Sequence, residues 1–294
     1  MKLDVVAVVG GIENDERKRN VRSWCDFILN QDYPDYTVSI VEMSTDKLYY
    51  QDAISSGINY YTLKSDVFCK PWGMNYLANK TSGDVIVCSD VDVQGESDYL
   101  SMVAVRASVH VAMFGSTHCV CLNGEGSDKY RSGERDFDIY DKSNHDRVAY
   151  THSIGAAGPI NIFHRDFYYD KIGGWWEAFT RNKGSDNDIM WRSWALSAIT
   201  GEYHPRDNDI YKVPIDLIHL HHNIPVSGKG VISAWQMSQR FPHYVSGKIK
   251  SVGIGGATKA KFDIDAMWDD LGESPLLDKD GRMRIDIIND RLKE

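Results

Sequence analysis

Residues 3–9, Leu-Asp-Val-Val-Ala-Val-Val, are apolar and β-branched around a single acid and stop at Gly10-Gly11. That is how a strand buried on both faces of a parallel sheet reads. The next segment carries Val21, Trp24, Cys25 and Ile28 at helical spacing, with charges between them. A turn, Gln31-Asp32-Tyr33-Pro34-Asp35, then leads into a second strand, Thr37-Val38-Ser39-Ile40-Val41. Strand, helix and strand without a hairpin signal imply a right-handed βαβ unit, and so an α/β chain with a mostly parallel sheet flanked by helices.

The alternation continues. Ile58 to Leu63 reads as a short strand, and Lys70 to Asn79 as a helix with Trp72, Tyr76 and Leu77 as candidate buried positions. Gly83-Asp84 turns into the apolar strand Val85-Ile86-Val87-Cys88, which runs out into Ser89-Asp90-Val91-Asp92. Residues 115–150, rich in Gly, Ser, Asp and Asn, predict an irregular stretch of the kind that forms lids and binding loops. Pattern returns at Ile160–Phe163, in a helix from Ser185 to Ala198 and in a strand from Val213 to Leu220. After Gly228 the expectation is two helices and a terminal hairpin around Asp280-Gly281.

Composition narrows the function classes. The chain has 294 residues, 42% hydrophobic and 26% charged, enough for one large domain or a domain with an appendage. A net charge of −9 with scattered basic residues argues against a duplex-binding surface, which needs a basic stripe. The loose cluster Lys248, Lys250, Lys259 and Lys261 reads as solvated surface. No apolar run reaches the ~18–20 residues that span a bilayer, and the first residues lack a signal-peptide cleavage pattern. A soluble, cytoplasmic protein is expected. Five cysteines without metal-site spacing read as free thiols in a reducing compartment.

Three clusters could carry chemistry. Asp90 and Asp92 lie two residues apart on the same side of an extended segment, beyond the carboxyl end of a buried strand, where open α/β sheets bind ligands. Such carboxylates can hold a divalent cation that offsets charge on a departing diphosphate. The second cluster is Gly173-Gly174-Trp175-Trp176-Glu177, followed by Gly184-Ser185-Asp186-Asn187-Asp188-Ile189. Paired glycines allow close backbone approach, and tryptophan faces suit sugar rings. Ser185-Asp186 reads as a helix N-terminus, where an acid with no basic neighbour in sequence could act as a general base or simply cap the helix. The third is His219-Leu220-His221-His222 at a strand end, where an imidazole near carboxylates suits Mn²⁺ or a similar ion. Strand alternation would point His221 the same way as His219.

Taken in order along residues 3–223, these features resemble the GT-A glycosyltransferases of the large family-two type and their galactosyltransferase-like relatives. Gln31-Asp32-Tyr33-Pro34 with Val41 to Asp46 is similar to that family's "QDYP…VDDGSTD" stretch. Lys70 and Asn75 are similar to its "K…LN" helix, and Gly83 through Asp92 to its "GD-strand-DxD" signature. Gly173 to Ile189 looks like "GGFDE…GGEDDDL", and His219 to His222 like "HLWH". Glu42 stands where the family has Asp, and Ser185 where it has Glu. Aligning Ile189 with the family's Leu puts Asp186, rather than Asn187, at the catalytic position.

The resemblance implies a Rossmann-like GT-A domain over 1–225, with a nucleotide-binding half (1–112), a variable loop (115–150) and an acceptor half (151–225). A helical extension would follow over 226–294. It implies hexosyl transfer from a nucleotide sugar, a UDP-sugar first, to a hydroxyl on a saccharide or another acceptor, a modified nucleic-acid base included. Inversion with Asp186 as base is implied, with Mn²⁺ or Mg²⁺ held by Asp90, Asp92, His219 and His222. Val9, Glu42, Lys70, Asn75, Ser89, Asp90 and Asp92 would face the donor. Gly174, Trp175, Trp176, Ser185 and Asp188 would face the acceptor. A sugar nucleotidyltransferase on the same fold is the main alternative, but such enzymes carry a basic Gly-rich loop after the first strand, and here acids follow Gly10-Gly11. A binding protein without turnover is the other.

Overall fold

A computed structural model describes residues 1–10, 14–44, 48–65, 68–150, 159–175, 185–186, 189–190, 193 and 212–222. In chain order the elements are β1 (Leu3–Gly10), α1 (Asp15–Leu29), β2 (Tyr36–Ser44), β3 (Asn59–Lys64), α2 (Lys70–Lys80), β4 (Val85–Ser89), β5 (Val93–Gln94) and α3 (Tyr99–Ala107). Then follow β6 (Ala112–Phe114), β7 (His118–Leu122), α4 (Gly124–Arg131), β8 (His145–Tyr150), β9 (Ile160–His164) and β10 (Asp216–His219). The elements expected after residue 228, and most of the helix expected over 185–198, lie outside the described residues.

The larger sheet runs β3-β2-β1-β4-β9-β6, with β3, β2, β1 and β4 parallel and β9 antiparallel to both of its neighbours. The mixed, mostly parallel α/β architecture is therefore as the alternation predicts. Strand alternation divides its core in two. Leu3, Val5, Ala7 and Val9 face α1 and α3 through Trp24, Ile28, Leu100 and Val103. Val6 and Val8 face α2 through Met74, Leu77 and Ala78. Asn14 caps α1 by accepting from the Glu16 amide at 2.8 Å, with Asp15 and Glu16 in the positive first turn. Trp72 and Tyr76 depart from expectation. They sit half-buried at the edge of the α2-side core, because Gly73, Met74 and Asn75 form the inward face.

Residues 115–150 also depart from the irregular stretch expected there, since they hold β7, α4 and β8. β7 and β8 join β5 and β10 in a second sheet of order β5-β10-β7-β8. Its small core is Val120, Leu122, Tyr130, Ile218 and Leu220. Gly126, one of the glycines that suggested a loop, serves close packing instead. A Cβ on Gly126 would come within 2.2 Å of the Asn144 carbonyl oxygen. Among the described residues, no helix is long and apolar enough to cross a membrane. The five cysteines, all described, carry free thiols.

Candidate active site

After β3 the strand order reverses, and β4 adds on the other side of β1. Ligands of open α/β sheets bind at such a switch point, beyond the carboxyl ends of the strands. Asp90 and Asp92 occupy that position, and the backbone there is pinned from several sides. The Asp90 amide donates to Pro159 O at 2.9 Å, and the Leu220 amide donates to Asp92 O at 2.8 Å. From α1, the Trp24 indole donates to Ser89 Oγ at 3.0 Å, and that hydroxyl donates to the Asp90 carbonyl at 2.7 Å.

Asp92 faces two imidazoles. Its Oδ2 lies 2.9 Å from His222 Nε2 and its Oδ1 lies 3.4 Å from His219 Nε2. Asp92 is 5% exposed, and its Oδ1 is buried without a hydrogen bond among the described residues. Burial pushes its carboxyl up, but His219, His222 and Arg17 outweigh that and hold it well below the usual carboxylate range. One ligand atom each from Asp92, His219 and His222 falls within 4.8 Å of the others. A buried carboxylate oxygen lacking a donor, beside two imidazole nitrogens, fits a divalent cation.

His221 takes another direction. The strand ends at His219, so alternation no longer applies. The His221 amide is held by Ser127 Oγ at 2.8 Å, its carbonyl accepts from Asn20 Nδ2 at 3.1 Å, and its ring lies 3.7 Å from Asp146.

Asp90 turns to Lys70. The Lys70 Nζ donates to Asp90 Oδ1 at 2.5 Å and to Asp186 Oδ1 at 2.7 Å, and Asn161 Nδ2 donates to the same Asp186 oxygen at 3.2 Å. The expectation that Asp186 has no basic neighbour fails in space. Burial would lower the Lys70 ammonium, but Asp186 and Asp90 outweigh it and keep it charged. The Asp90 carboxyl is nevertheless raised, by burial first and by Asp186 and Asp92 beside it, against the pull of Lys70. Asn161 gave no local signal in the sequence. It reaches the site because β9 inserts antiparallel beside β4, with Asn161 opposite Cys88.

The protein itself engages the other positions expected to face a donor. Glu42 accepts from the amides of Tyr49 at 2.5 Å and Tyr50 at 3.0 Å and from the Tyr60 hydroxyl at 2.7 Å. Asn75 donates to Trp175 O at 2.8 Å and accepts from the Trp175 amide at 2.9 Å and the Tyr168 hydroxyl at 2.6 Å. Val9 is buried at the end of β1, in register with Glu42. Gly173 and Gly174, with φ of 63° and 76°, make the turn that delivers Trp175. Trp175 is fully buried, with the Lys70 ammonium 5.5 Å from its ring, and so underlies the site. Ser185 is buried beside Asp186. Trp176, Asn187 and Asp188 lie outside the described residues.

Cys121 is a neighbour the sequence did not single out. It is in register with His219, and Arg147 Nε lies 3.4 Å from its sulfur. A hydrogen bond from Cys119 and then the Arg147 guanidinium pull its thiol down to about 5, against burial.

No family model and no curated protein matches the chain. Among solved structures it is similar to S. aureus TarS in complex with UDP-GlcNAc, at 10% identity over 82% of this chain and 65% of that one, with a TM-score of 0.49. A second structure of S. aureus TarS is 12% identical over 85% of this chain and 41% of that one, with a TM-score of 0.46. The mannosyltransferase PcManGT from Pyrobaculum calidifontis, in complex with GDP-Man and Mn²⁺, is 14% identical over 90% of this chain and 68% of that one, with a TM-score of 0.45. The chain thus spans 65% and 41% of the length of the two TarS structures, short of two thirds in each.

Proposed function

We propose that the chain is a metal-dependent glycosyltransferase that moves a hexose from a UDP-sugar to an acceptor hydroxyl with inversion. The observation that carries this reading is the set of buried Asp92 with partly exposed His219 and His222, beside Asp90, Lys70 and Asp186 at the carboxyl end of β4. Asp92, His219 and His222 would hold the cation, and the two imidazoles favour Mn²⁺ over the strictly oxygen-seeking Mg²⁺. A divalent cation bound there supplies charge that stabilises the departing diphosphate.

The chain's own groups do the rest. Lys70 bridges Asp90 and Asp186, and an incoming diphosphate competes for the same ammonium. Drawing Lys70 toward the phosphates frees the Asp186 carboxylate to act as general base. The acceptor oxygen then bonds to the anomeric carbon as the bond to the UDP oxygen breaks, and the acceptor proton passes to Asp186. Glu42, Ser89 and Asn75 support this arrangement by anchoring the strand ends and Trp175. The acceptor approaches from the side of Gly174 and Ser185.

The test is thermal stabilisation by UDP, GDP and a set of UDP-hexoses, each with Mn²⁺ and with EDTA. A ligand at 100 times its Kd adds about 2.7 kcal/mol of stability. A UDP-sugar should stabilise the chain with Mn²⁺ and lose that effect in EDTA, and an acceptor should then release UDP. Equal stabilisation with and without metal overturns the reading. Metal-dependent binding with no UDP release to any acceptor reduces it to a binding protein.

A further inference from the structure

Asn161 is the polar residue inside an apolar strand. β9 lies between β4 and β6, with Asn161 opposite Cys88 on one side and Phe114 on the other, so both neighbours fix its backbone. Ile160 and Ile162 pack on the α1 side of the sheet, and Phe163, Cys88 and Trp175 belong to the layer on the other side. Strand alternation points Asn161 into that second layer, where it is 1% exposed. Its Nδ2 donates to Asp186, and its Oδ1 is buried with no donor among the described residues. A buried oxygen without a donor lowers stability, and an apolar side chain of the same shape avoids that loss. The stability of β9 would therefore favour an apolar residue at this position, and the amide answers to Asp186.

The geometry at Asp186 is one-sided. Lys70 Nζ at 2.7 Å and Asn161 Nδ2 at 3.2 Å both donate to Oδ1. Oδ2 receives no hydrogen bond from the described residues, and the side chain is 26% exposed. One oxygen is anchored to the protein, and the other is left to take a proton.

The two donors differ in kind. A carboxylate kept on an ammonium is held in its charged form, which opposes proton uptake, and this ammonium also serves Asp90. A neutral amide makes a weaker bond and opposes proton uptake less. Lys70 reaches Asp186 on a flexible four-carbon stem, whereas Asn161 is short and seated within a sheet. When a diphosphate draws Lys70 away, Asn161 stays and preserves the orientation of the carboxylate. We propose that Asn161 is a positioning residue for the transfer: it anchors Asp186 Oδ1 and presents Oδ2 to the acceptor hydroxyl while Lys70 serves the diphosphate. This rests on the transfer reading with Asp186 as base, and adds the group that keeps the base aligned.

The test measures UDP release by the full chain in Mn²⁺ from UDP-glucose, UDP-galactose and UDP-N-acetylglucosamine, with methyl glycosides of these sugars as acceptors. Asn161→Leu, close in shape to the amide, should lower kcat about 10- to 100-fold, the range expected for a hydrogen bond to a charged group. The donor KM should stay within about threefold, and the melting temperature should be unchanged or higher. Asn161→Ala, which needs no extra room, should lose turnover similarly, so overpacking in the first variant cannot mimic the effect. In an Asp186→Asn background, Asn161→Leu should lower turnover by less than about threefold further, because the two residues act as a unit. Turnover near wild type in both Asn161 variants, an equal loss in both backgrounds, or a loss that tracks a lowered melting temperature in both variants each overturns the proposal. Those outcomes leave the transfer reading standing, since the wild-type chain still releases UDP and Asp186→Asn is still slow. Full turnover of Asp186→Asn, or no UDP release by the wild-type chain, removes the transfer reading itself, and the role of Asn161 falls with it.

Discussion

The sheet carries carboxylates at both ends of its central strands, Asp4 near the amino end of β1 and Asp90 and Asp92 beyond the carboxyl end of β4, and the two ends are treated differently. At the amino end, the Asp4 side chain is 1% exposed and fully answered. Thr37 Oγ1 donates to it at 2.5 Å, Arg165 Nη2 at 2.6 Å, and the Gly83 amide donates as well. Arg165 in turn is fixed by the Ala78 carbonyl at 2.8 Å and by Thr81 Oγ1 at 3.0 Å. At the carboxyl end, Asp90 and Asp186 share the ammonium of Lys70, and Asp92 keeps a buried oxygen without a donor among the described residues. A buried charge is costly unless it is paired and hydrogen-bonded. The amino end answers that cost with protein groups and becomes structure. The carboxyl end leaves negative charge in excess, which is what a cation site needs.

This contrast can be broken by substitution. Asp92→Asn should reduce sugar transfer by about 10⁴-fold, roughly 5.5 kcal/mol, since it removes the carboxylate common to both imidazoles. Its folding free energy in urea should change far less than its activity. Turnover near the wild-type rate at limiting Mn²⁺ would place Asp92 in the same structural class as Asp4.

Asp186→Asn should lose about 10³-fold in turnover, within the range for a positioned base, while Mn²⁺-dependent UDP-sugar binding persists. A product that retains the anomeric configuration would remove the need for this base, whatever the variant does.

Arg165→Ala should act in the opposite sense. It leaves Asp4 buried without its cation and should cost about 3 kcal/mol of stability, the low end for breaking a buried pair because the Arg165 side chain is 18% exposed. Turnover per folded molecule should hold. A fall in turnover with normal stability would mean that the two ends are coupled.

The smallest effect sharpens the site itself. His219→Ala should raise the Mn²⁺ requirement by about 10–100-fold, and His222→Ala by a similar factor. His221→Ala should leave the metal titration unchanged, because its ring faces Asp146. A titration that moves with His221 and stays put with His219 would reverse the assignment.

The alternation of Val-rich strands with amphipathic helices was legible along the chain because burial on both faces of a sheet imposes a local composition. Asp90 and Asp92 could be placed for the same reason: an apolar strand ends beside them. His219 and His222 could be tied to metal chemistry from their residue type, yet His221 could not be excluded, since where a strand stops is set by its neighbours. Other features had no local signature. Residues 115–150 read as loop because Gly126 and its polar neighbours give no period, and their order comes from packing on β10. The Lys70–Asp186 contact spans 116 positions, and the antiparallel insertion of β9 brings in Asn161. Contacts of that range are selected by the packing of the whole sheet, where no single segment's propensity decides them.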